Sequence, residues 1–477
     1  MLSSRARSLP ASSTAALDAG IKARIAAGAD IINLTGGELD FPTPGQAADG
    51  ARRAIAEGRT RYTPVAGIGP LREAIARRLT EHWGCHYDAS QIVTTNGAKQ
   101  ALAQVFTLLC EPGEEVILPA PYWVSFPHMI RLAGAVPVTV PTAATGYKLT
   151  PEALLAHLTP RSRVLLLNNP SNPTGVVYER SELLALVRAA VEHGLTVVTD
   201  EIYGDLVHDG ASFTAVASLG PDIAGRTVTV GGFSKTYAMT GWRMGFAAAP
   251  SPVAAALTAV QGHTSSAPSS ISQYAALAAL TDGTEAELGR RAAELSARRT
   301  LMRDGIRALP PLRLTAPPQG GFFAFVDIGA LCTRPGEDAG TFARDLLEHA
   351  GVAVMPGNDF AAPDHVRLSY GVGTEDIVRA LDRIGTYLKT TLKTPSGPQE
   401  REQTMDKATV FEVRGMTCGG CAKRIRTAIE TDLGEDTAVA VDHRTGRVTV
   451  TSSRDVTPEA VRSAVERTGY EFAGTAA

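Results

Sequence analysis

The stretch GGFSKTYAMTGWRMG, Gly231–Gly245, places a lysine and an arginine in a turn rich in glycine. Lys235 follows a β-branched run, and Arg243 lies eight positions further on. A free lysine has a pKa of about 10.4, so it acts as a nucleophile at neutral pH only where burial or a nearby cation lowers that pKa. Arg243 supplies such a cation and can also hold a phosphate. The string predicts a Schiff-base lysine beside a phosphate site; the alternative is an exposed loop lysine.

A second candidate is the acid that ends the run LTVVT, Leu195–Thr199. Asp200 would lie in the mouth of a sheet, where a carboxylate needs a partner that offsets its burial. A protonated pyridine nitrogen is such a partner, and the pairing keeps a cofactor ring an electron sink. Tyr203, three residues on, can donate a hydrogen bond to the phenolic oxygen of that ring. The alternatives are a helix N-cap for Asp200 and a core aromatic for Tyr203.

Two further stretches supply groups that a planar cofactor would need. NNPSNPTG, Asn168–Gly175, contains two Asn-Pro steps after a buried strand. Taken alone it indicates only a turn, but Asn172 can donate to a phenolate oxygen and to a substrate carboxylate. PYWVSF, Pro121–Phe126, adds Trp123, which can stack on a planar ring or serve ordinary packing.

TTNGAKQAL, Thr94–Leu102, is a glycine turn that opens a helix. The amides of Gly97, Ala98 and Lys99 would form an anion site, because the first amides of a helix have no partner within it. Taken alone this signal is weak, but it matches the phosphate predicted from Arg243.

The elements that would position these groups alternate between Leu71 and Phe246. Short apolar runs such as Val164–Leu167 and Thr227–Val230 are separated by helical stretches such as Leu183–His193. Buried strands that alternate with helices predict an α/β fold with a mostly parallel sheet covered on both faces. In such sheets the active site lies beyond the carboxyl ends of the strands.

Together, SKTYAMTGWRMG, NNPSNPTG and VVTDEIY resemble the class I aminotransferases, fold-type I pyridoxal-phosphate (PLP) enzymes close to aspartate aminotransferase. The resemblance covers roughly Leu9–Leu388 and implies a small α+β domain beside the large one. It implies roles for the candidate residues as well. The implied cofactor-binding set, with Lys235, Asp200 and Tyr203 also catalytic, is Tyr62, Gly97, Ala98, Lys99, Trp123, Asn172, Asp200, Tyr203, Ser234, Lys235 and Arg243.

The resemblance also implies substrate contacts and an assembly. HVRLSYG places Arg367 where the family binds the α-carboxylate of the substrate, and NLTGGELDFPTP places Gly37 at the turn that contacts the same carboxylate, beside Asn172. RYTPVAGIG places Tyr62 where family members contact the phosphate across a subunit interface. The expected protein is therefore a homodimer with shared active sites.

The expected reaction moves an amino group between an L-amino acid and a 2-oxo acid, with Lys235 as the Schiff-base residue and proton carrier. The same residues support β-elimination or racemisation, so those outcomes stay open. The substrate side chain stays open too. Residues 246–289 contain no Lys or Arg, although some relatives specific for dicarboxylates take a carboxylate clamp from that part of the partner subunit.

The tail carries a different motif, GMTCGGC, Gly415–Cys421. Cys418 and Cys421 could form a thioredoxin-like redox pair, two unbonded thiols, or a soft-metal site of the kind Cu(I) prefers. The region Ala408–Phe472 resembles the heavy-metal-associated domain of copper chaperones. That resemblance implies a ferredoxin-like βαββαβ fold with both cysteines as ligands, and copper ahead of zinc because zinc would want four ligands.

The chain of 477 residues therefore reads as an aminotransferase (1–388), a polar linker (389–407) and a metal-binding domain (408–477). Within the first part we expect a large PLP domain at about 45–290 and a small domain from 1–44 plus 291–388. A net charge of −3 gives no electrostatic case for nucleic acid or membrane as a partner. Five cysteines and no signal-like or membrane-spanning stretch predict a cytoplasmic protein. The rival interpretation is a copper-handling protein with a catalytically retired enzyme domain.

Overall fold

The computed structural model describes residues 7, 13–208, 210–332, 336–393, 407–416, 419–433, 437–443, 445–452 and 456–475. The chain divides into two compact units, Met1–Thr391 and Leu392–Ala477. None of the described helices is both long enough and apolar enough to cross a membrane.

The first unit contains twelve strands and thirteen α-helices among its described residues. The strands are β1 (Ile32–Asn33), β2 (Ile92–Thr95), β3 (Glu115–Ala120), β4 (Val136–Pro141), β5 (Ser162–Asn168), β6 (Thr196–Asp200), β7 (Thr227–Gly232), β8 (Gly245–Ala248), β9 (Phe323–Asp327), β10 (Val352–Ala353), β11 (Met355–Pro356) and β12 (His365–Ser369). The helices are α1 (Ser13–Ala26), α2 (Gly45–Ala56), α3 (Gly69–Trp83), α4 (Ala98–Leu109), α5 (Phe126–Leu132), α6 (Pro151–Ala156), α7 (Arg180–Glu192), α8 (Pro221–Ala224), α9 (Ser251–Thr264), α10 (Ser270–Thr281), α11 (Glu285–Arg307), α12 (Ala339–Ala350) and α13 (Thr374–Lys393).

A seven-stranded sheet in the order β2-β8-β7-β6-β5-β3-β4 forms the centre of this unit. Its neighbours pair in parallel except at β8, which is antiparallel to both β7 and β2. Alternate side chains of each strand point to opposite faces of the sheet, and both faces are buried. In β5, Val164 and Leu166 pack with Phe106 of α4, whereas Leu165 and Leu167 pack with helix α7. The predicted α/β fold with a mostly parallel sheet is confirmed.

A smaller sheet, β11-β12-β9, and the parallel pair β1-β10 complete the unit. Strand β12 is antiparallel to β9, with Arg367 opposite Phe325. Aliphatic residues of α11, α12 and α13 form one core with these strands. This second core fixes the strand that carries Arg367.

The second unit consists of β13 (Lys407–Arg414), α14 (Gly419–Leu433), β14 (Thr437–Asp442), β15 (Arg447–Ser452), α15 (Pro458–Arg467) and β16 (Glu471–Thr475). Its antiparallel sheet has the order β14-β15-β13-β16. The βαββαβ order and this pairing are those of a ferredoxin-like fold, as predicted. Phe411, Ile425, Ile429 and Val461 are fully buried in a core of its own.

The predicted linker, 389–407, differs from the structure at both ends, and its last residue, Lys407, begins β13. Lys389–Lys393, predicted as the start of the linker, belong to α13. This 20-residue helix therefore continues past Leu388, where sequence reasoning ended the domain. Residues 394–406 of the predicted linker lie outside the described residues.

Candidate active site

Three neighbouring parallel strands bring the first candidate residues to one edge of the large sheet. Asn168 ends β5 and is paired with Asp200, which ends β6. Strand β7 ends at Gly232, directly before the turn that carries Lys235. Because parallel strands point the same way, residues that follow them meet at the carboxyl edge.

At this edge lies a cavity of about 530 Å³. Eleven of the predicted site residues line it: Gly37, Ala98, Lys99, Trp123, Asn172, Asp200, Tyr203, Ser234, Lys235, Arg243 and Arg367. Sequence reasoning missed further residues of the lining, among them Asp18, Lys22, Thr35, Glu38, Ser125, Asn168 and Thr240. Asn168 could have been found from its place at the end of a buried strand, but nothing in the sequence points to Asp18 or Lys22.

The amine of Lys235 is held inside the cavity. Its Nζ donates a hydrogen bond of 2.5 Å to the carbonyl oxygen of Gly37. Burial, followed by the positive charge of Arg367, lowers the pKa of Lys235 to about 8. A substantial fraction of this lysine is therefore neutral near physiological pH, as a nucleophilic amine must be.

Asp200 is a buried carboxyl group that faces the cavity. Only 4% of it is exposed, and its Oδ1 accepts a hydrogen bond of 3.3 Å from the amide of Ile202. Burial raises the pKa of Asp200 to about 7, and the nearby Lys235 lowers it only in part. A carboxylate placed this way calls for a cation in the cavity that would keep it ionised.

Arg367 also lines the cavity and is 4% exposed. Its Nη1 donates to Oδ1 of Asn172 at 3.0 Å, and its Nη2 donates to the carbonyl oxygen of Thr35 at 2.8 Å. The guanidinium lies 4.1 Å from the ring centroid of Phe323. Burial lowers the pKa of Arg367 to about 10, so the side chain stays charged at neutral pH. A rigid cation that lines a cavity is suited to hold a carboxylate.

The first turn of α4 and Arg243 face each other at one end of the cavity. Arg243 has φ +54°, and its Nη1 donates to the carbonyl oxygen of Thr240 at 3.0 Å. Gly97, the N-cap of α4, has φ +78°, and a Cβ there would lie 2.7 Å from Nη2 of Arg243. A side chain at position 97 would displace the guanidinium and would strain the backbone at this positive φ, so glycine suits this close approach of Arg243 to the turn before α4. The result is a cradle for a phosphate.

Aromatic and amide groups also line the cavity. The ammonium of Lys99 lies 4.9 Å from the ring centroid of the half-buried Trp123. Tyr203 is 4% exposed, packs edge-on against Phe322 at 5.8 Å, and is hydrogen-bonded through its side chain to Asn172. A ring in this cavity would therefore meet Trp123, and a phenolate oxygen on it would meet Asn172 and Tyr203.

These groups fit pyridoxal phosphate. Among the described residues, no cation forms an ion pair with the buried carboxyl of Asp200, and a protonated pyridine nitrogen would supply one. The Gly97–Arg243 cradle suits the phosphate, and Lys235 offers an amine of lowered pKa. The donor set of the cavity therefore agrees with this cofactor on charge and shape.

Two of the predicted residues of the PLP site are not in this lining: Gly97, which caps α4 beside Arg243, and Tyr62, which lies apart from the cavity. Tyr62 is 96% exposed within the chain. The resemblance places it in the site of a partner subunit, so its exposure here is compatible with that expectation.

The second unit contains part of the predicted metal site. Cys421 is 7% exposed in the first turn of α14, and Met416 and Tyr470 pack at the edge of the same core. Cys418 lies outside the described residues. Among the residues that are described, no group of three or more His, Cys, Asp or Glu side chains could hold a metal ion.

Comparison with known proteins supports the assignments of both the first unit and the second unit of the chain. Residues 29–384 match the family "Aminotransferase class I and II", and residues 410–471 match "Heavy-metal-associated domain". An aspartate aminotransferase of Geobacillus stearothermophilus is 40% identical over 81% of this chain and 99% of its own length. A probable aspartate/prephenate aminotransferase of Thermus aquaticus is 41% identical over the same shares of the two chains. The solved structure of the Thermus thermophilus aspartate aminotransferase with maleate has a TM-score of 0.77 at 40% identity, covering 81% of this chain and 99% of that one.

The fold and the family match define a class I and II aminotransferase with a heavy-metal-associated domain at its C-terminal end. The chain belongs to that family and is a PLP-dependent aminotransferase.

Proposed function

We propose that this enzyme moves an amino group between a dicarboxylic L-amino acid and a 2-oxo acid, with Lys235 as the residue that attaches the cofactor and carries the proton. The observation that carries the proposal is the position of Lys235, Asp200 and Arg367 around one cavity. The names of the relatives, aspartate and aspartate/prephenate aminotransferases, support the dicarboxylic substrate.

Each residue has a defined task in this proposal. Bound pyridoxal phosphate withdraws electrons from the substrate α-carbon, which acidifies its proton. Nζ of Lys235 accepts that proton and returns it, and a pKa of about 8 suits both directions near neutral pH. Arg367 binds the α-carboxylate, and its contacts to Asn172 and Thr35 fix the orientation of the substrate. Asp200 would hold the ring nitrogen of the cofactor and, in its ionised form, would stabilise the positive charge there.

The active unit in this proposal is a homodimer. The family forms such dimers, and the almost fully exposed Tyr62 is then free to contact the phosphate of the partner subunit. Each active site would be complete only in the homodimer.

A screen of amino donors with 2-oxoglutarate tests the function. We expect the holoenzyme to convert aspartate to oxaloacetate with a higher kcat/KM than alanine or phenylalanine, and to form one glutamate for each oxo acid released. Ammonia and pyruvate from a donor would identify β-elimination, and a D-amino acid would identify racemisation. A protein that converts no donor would support a retired enzyme domain.

For the C-terminal domain we propose Cu(I) binding by Cys418 and Cys421. Thiolates are soft ligands that suit Cu(I), and the first turn of a helix, where Cys421 lies, favours thiolate over thiol. The match of residues 410–471 to the heavy-metal-associated domain supports metal binding in general.

Replacing both cysteines by serine is expected to abolish tight Cu(I) binding, because hydroxyls are poor ligands for this ion. Titration against a Cu(I) chelator measures the effect, and a Cys332→Ser variant is the control that keeps the motif intact. Transamination should be unchanged in both variants. Equal Cu(I) affinity of wild type and double variant would contradict the proposed site.

A further inference from the structure

One face of the small sheet carries a row of side chains that starts at the cavity and ends at a loop of the large sheet. Arg367 and His365 lie two positions apart in β12, so their side chains point to the same face. Phe325 of β9 is the strand partner of Arg367, and its ring is stacked on that of His365 with 4.7 Å between the centroids. These three side chains are therefore packed in one row, of which the chemistry proposed above uses only Arg367.

The far end of this row is hydrogen-bonded to the loop that follows β4 of the large sheet. The hydroxyl of Tyr147 lies 2.8 Å from Nε2 of His365, and the two residues are only 6% and 7% exposed. Nδ1 of His365 lies 2.7 Å from Oδ1 of Asp364 and donates to it, which leaves Nε2 of the neutral ring as the acceptor for the Tyr147 hydroxyl. The oxygen of Tyr147 is also hydrogen-bonded to the side chain of Thr315, in the segment before β9.

The backbone at Tyr147 is strained. Its φ of +65° lies in the left-handed region, which a bulky residue rarely adopts. Such conformations persist where the surrounding structure fixes them, and they are concentrated at functional sites. Here the ring belongs to a buried cluster that joins Val124 and Val176, from loops of the large sheet, to Phe325 and Phe360. The packing therefore fixes the position of the hydroxyl that is bonded to the small sheet.

Strand β12 is thus bonded to loops of the large sheet at two separate points. Arg367 donates to Asn172, which follows β5, and His365 accepts from Tyr147, which follows β4. Two bonds at different points along one strand restrict its rotation relative to the large sheet more than one bond does. We propose that Tyr147 and His365 are positioning residues, which hold the guanidinium of Arg367 in a fixed place relative to the reacting lysine. The inference rests on the proposed binding of the α-carboxylate by Arg367.

Tyr147→Phe removes only the hydroxyl, and its effect is measured in the holoenzyme. At saturating aspartate we expect the rate constant of the first half-reaction, followed in the spectrum of the bound cofactor, to fall about 10-fold, because a misplacement of about 1 Å costs up to about 100-fold. The dissociation constant of maleate should stay within about threefold of wild type, since Arg367 still binds a carboxylate. A rate constant within about twofold of wild type would overturn the inference.

Variants of His365 and of a second buried tyrosine separate positioning from a general effect of packing. His365→Leu removes the acceptor and should lower the same rate constant about as much as Tyr147→Phe, whereas the amide oxygen in His365→Gln can accept the hydroxyl and should restore most of the rate. Tyr87→Phe is the matched control, because the Tyr87 hydroxyl is also buried and lies 3.2 Å from Oγ1 of Thr229 in the large sheet. It should keep the rate constant within about twofold of wild type. An equal fall in Tyr87→Phe and Tyr147→Phe would overturn the inference.

A double-variant cycle shows whether the effect runs through Arg367. In Arg367→Gln no guanidinium remains to be positioned, so adding Tyr147→Phe should change the rate constant by less than about twofold. A further fall of about 10-fold in that background would overturn the inference. Arg367→Gln also tests the proposed function itself, since wild-type affinity for maleate in this variant would refute the role of Arg367. Weak maleate binding there, together with a wild-type rate in Tyr147→Phe, is a failure of this inference alone.

Discussion

Replacing Lys235 by alanine is expected to lower kcat for transamination by at least about 10⁴-fold. A positioned general base contributes up to about 10⁴ on its own, and the same substitution removes the point of covalent attachment. The two other lysines of the lining are engaged elsewhere, Lys22 with Asp18 and Glu38 and Lys99 over the ring of Trp123, so we expect neither to replace Lys235. A coupled assay for oxaloacetate measures kcat, and the visible spectrum shows whether the bound cofactor is still attached to the protein.

Lys148→Ala is the matched control for this prediction. Lys148 forms an ion pair of 2.7 Å with Glu182 and lies outside the cavity lining. We expect its loss to leave kcat and the cofactor spectrum unchanged. An activity of Lys235→Ala within 100-fold of wild type would show that another residue moves the proton.

Replacing Asp200 by asparagine is expected to lower kcat by about 10²- to 10⁴-fold. Removal of one partner of a buried ion pair costs about 3–5 kcal/mol, and each 1.4 kcal/mol is a factor of ten in rate. Asparagine keeps the shape of the side chain but cannot hold the ring nitrogen in its protonated form. Affinity for pyridoxal phosphate should fall as well, which equilibrium dialysis measures.

Glu201 provides a control of the same chemistry next to Asp200. It is fully buried, accepts a hydrogen bond of 2.9 Å from the amide of Val216, and burial raises its pKa to about 8. Because a carboxyl with this pKa is mostly neutral at pH 7, Glu201→Gln preserves its charge state and should keep kcat within tenfold. A larger loss in Glu201→Gln than in Asp200→Asn would contradict the assigned role of Asp200.

Asp200→Asn should also change how the unfolding free energy of the cofactor-free protein depends on pH. In the folded protein Asp200 has a pKa of about 7, whereas in the unfolded chain it has the ordinary value of 3.8. The free energy of unfolding is therefore highest below pH 3.8 and falls as the pH rises towards 7. The unfolding free energy of Asp200→Asn relative to wild type should therefore increase from pH 5 to 7, by at most about 1.4 kcal/mol per pH unit, and level off above 7. Urea denaturation of both apoproteins measures it; a difference independent of pH would contradict the burial argument.

The large sheet was predictable because its physical signal is local. β-branched runs such as Thr227–Val230, separated by helices, are typical of strands buried on both faces of a mostly parallel sheet, and the residues after parallel strands meet at one edge. The linker was predicted to begin at Lys389, whereas Lys389–Lys393 belong to α13, because this polar stretch has no apolar period that would have marked it as helix.

The sequence by itself determined the chemistry of this protein: a lysine and an arginine in one glycine-rich turn, an acid at a strand end, a glycine turn before a helix, and two cysteines in a separate tail. Only the tertiary structure showed which residues line the mouth of the cavity. Asp18, Lys22 and Glu38 are ordinary polar residues in the sequence, with no spacing that distinguishes them from a solvated helix face. They line the cavity because the 35–38 turn is hydrogen-bonded to Lys235 and Arg367, about 200 and more than 300 residues away, and α1 is bound to that turn through Asp18 and Lys22. Such long-range pairing depends on how the cores pack, which no local pattern encodes.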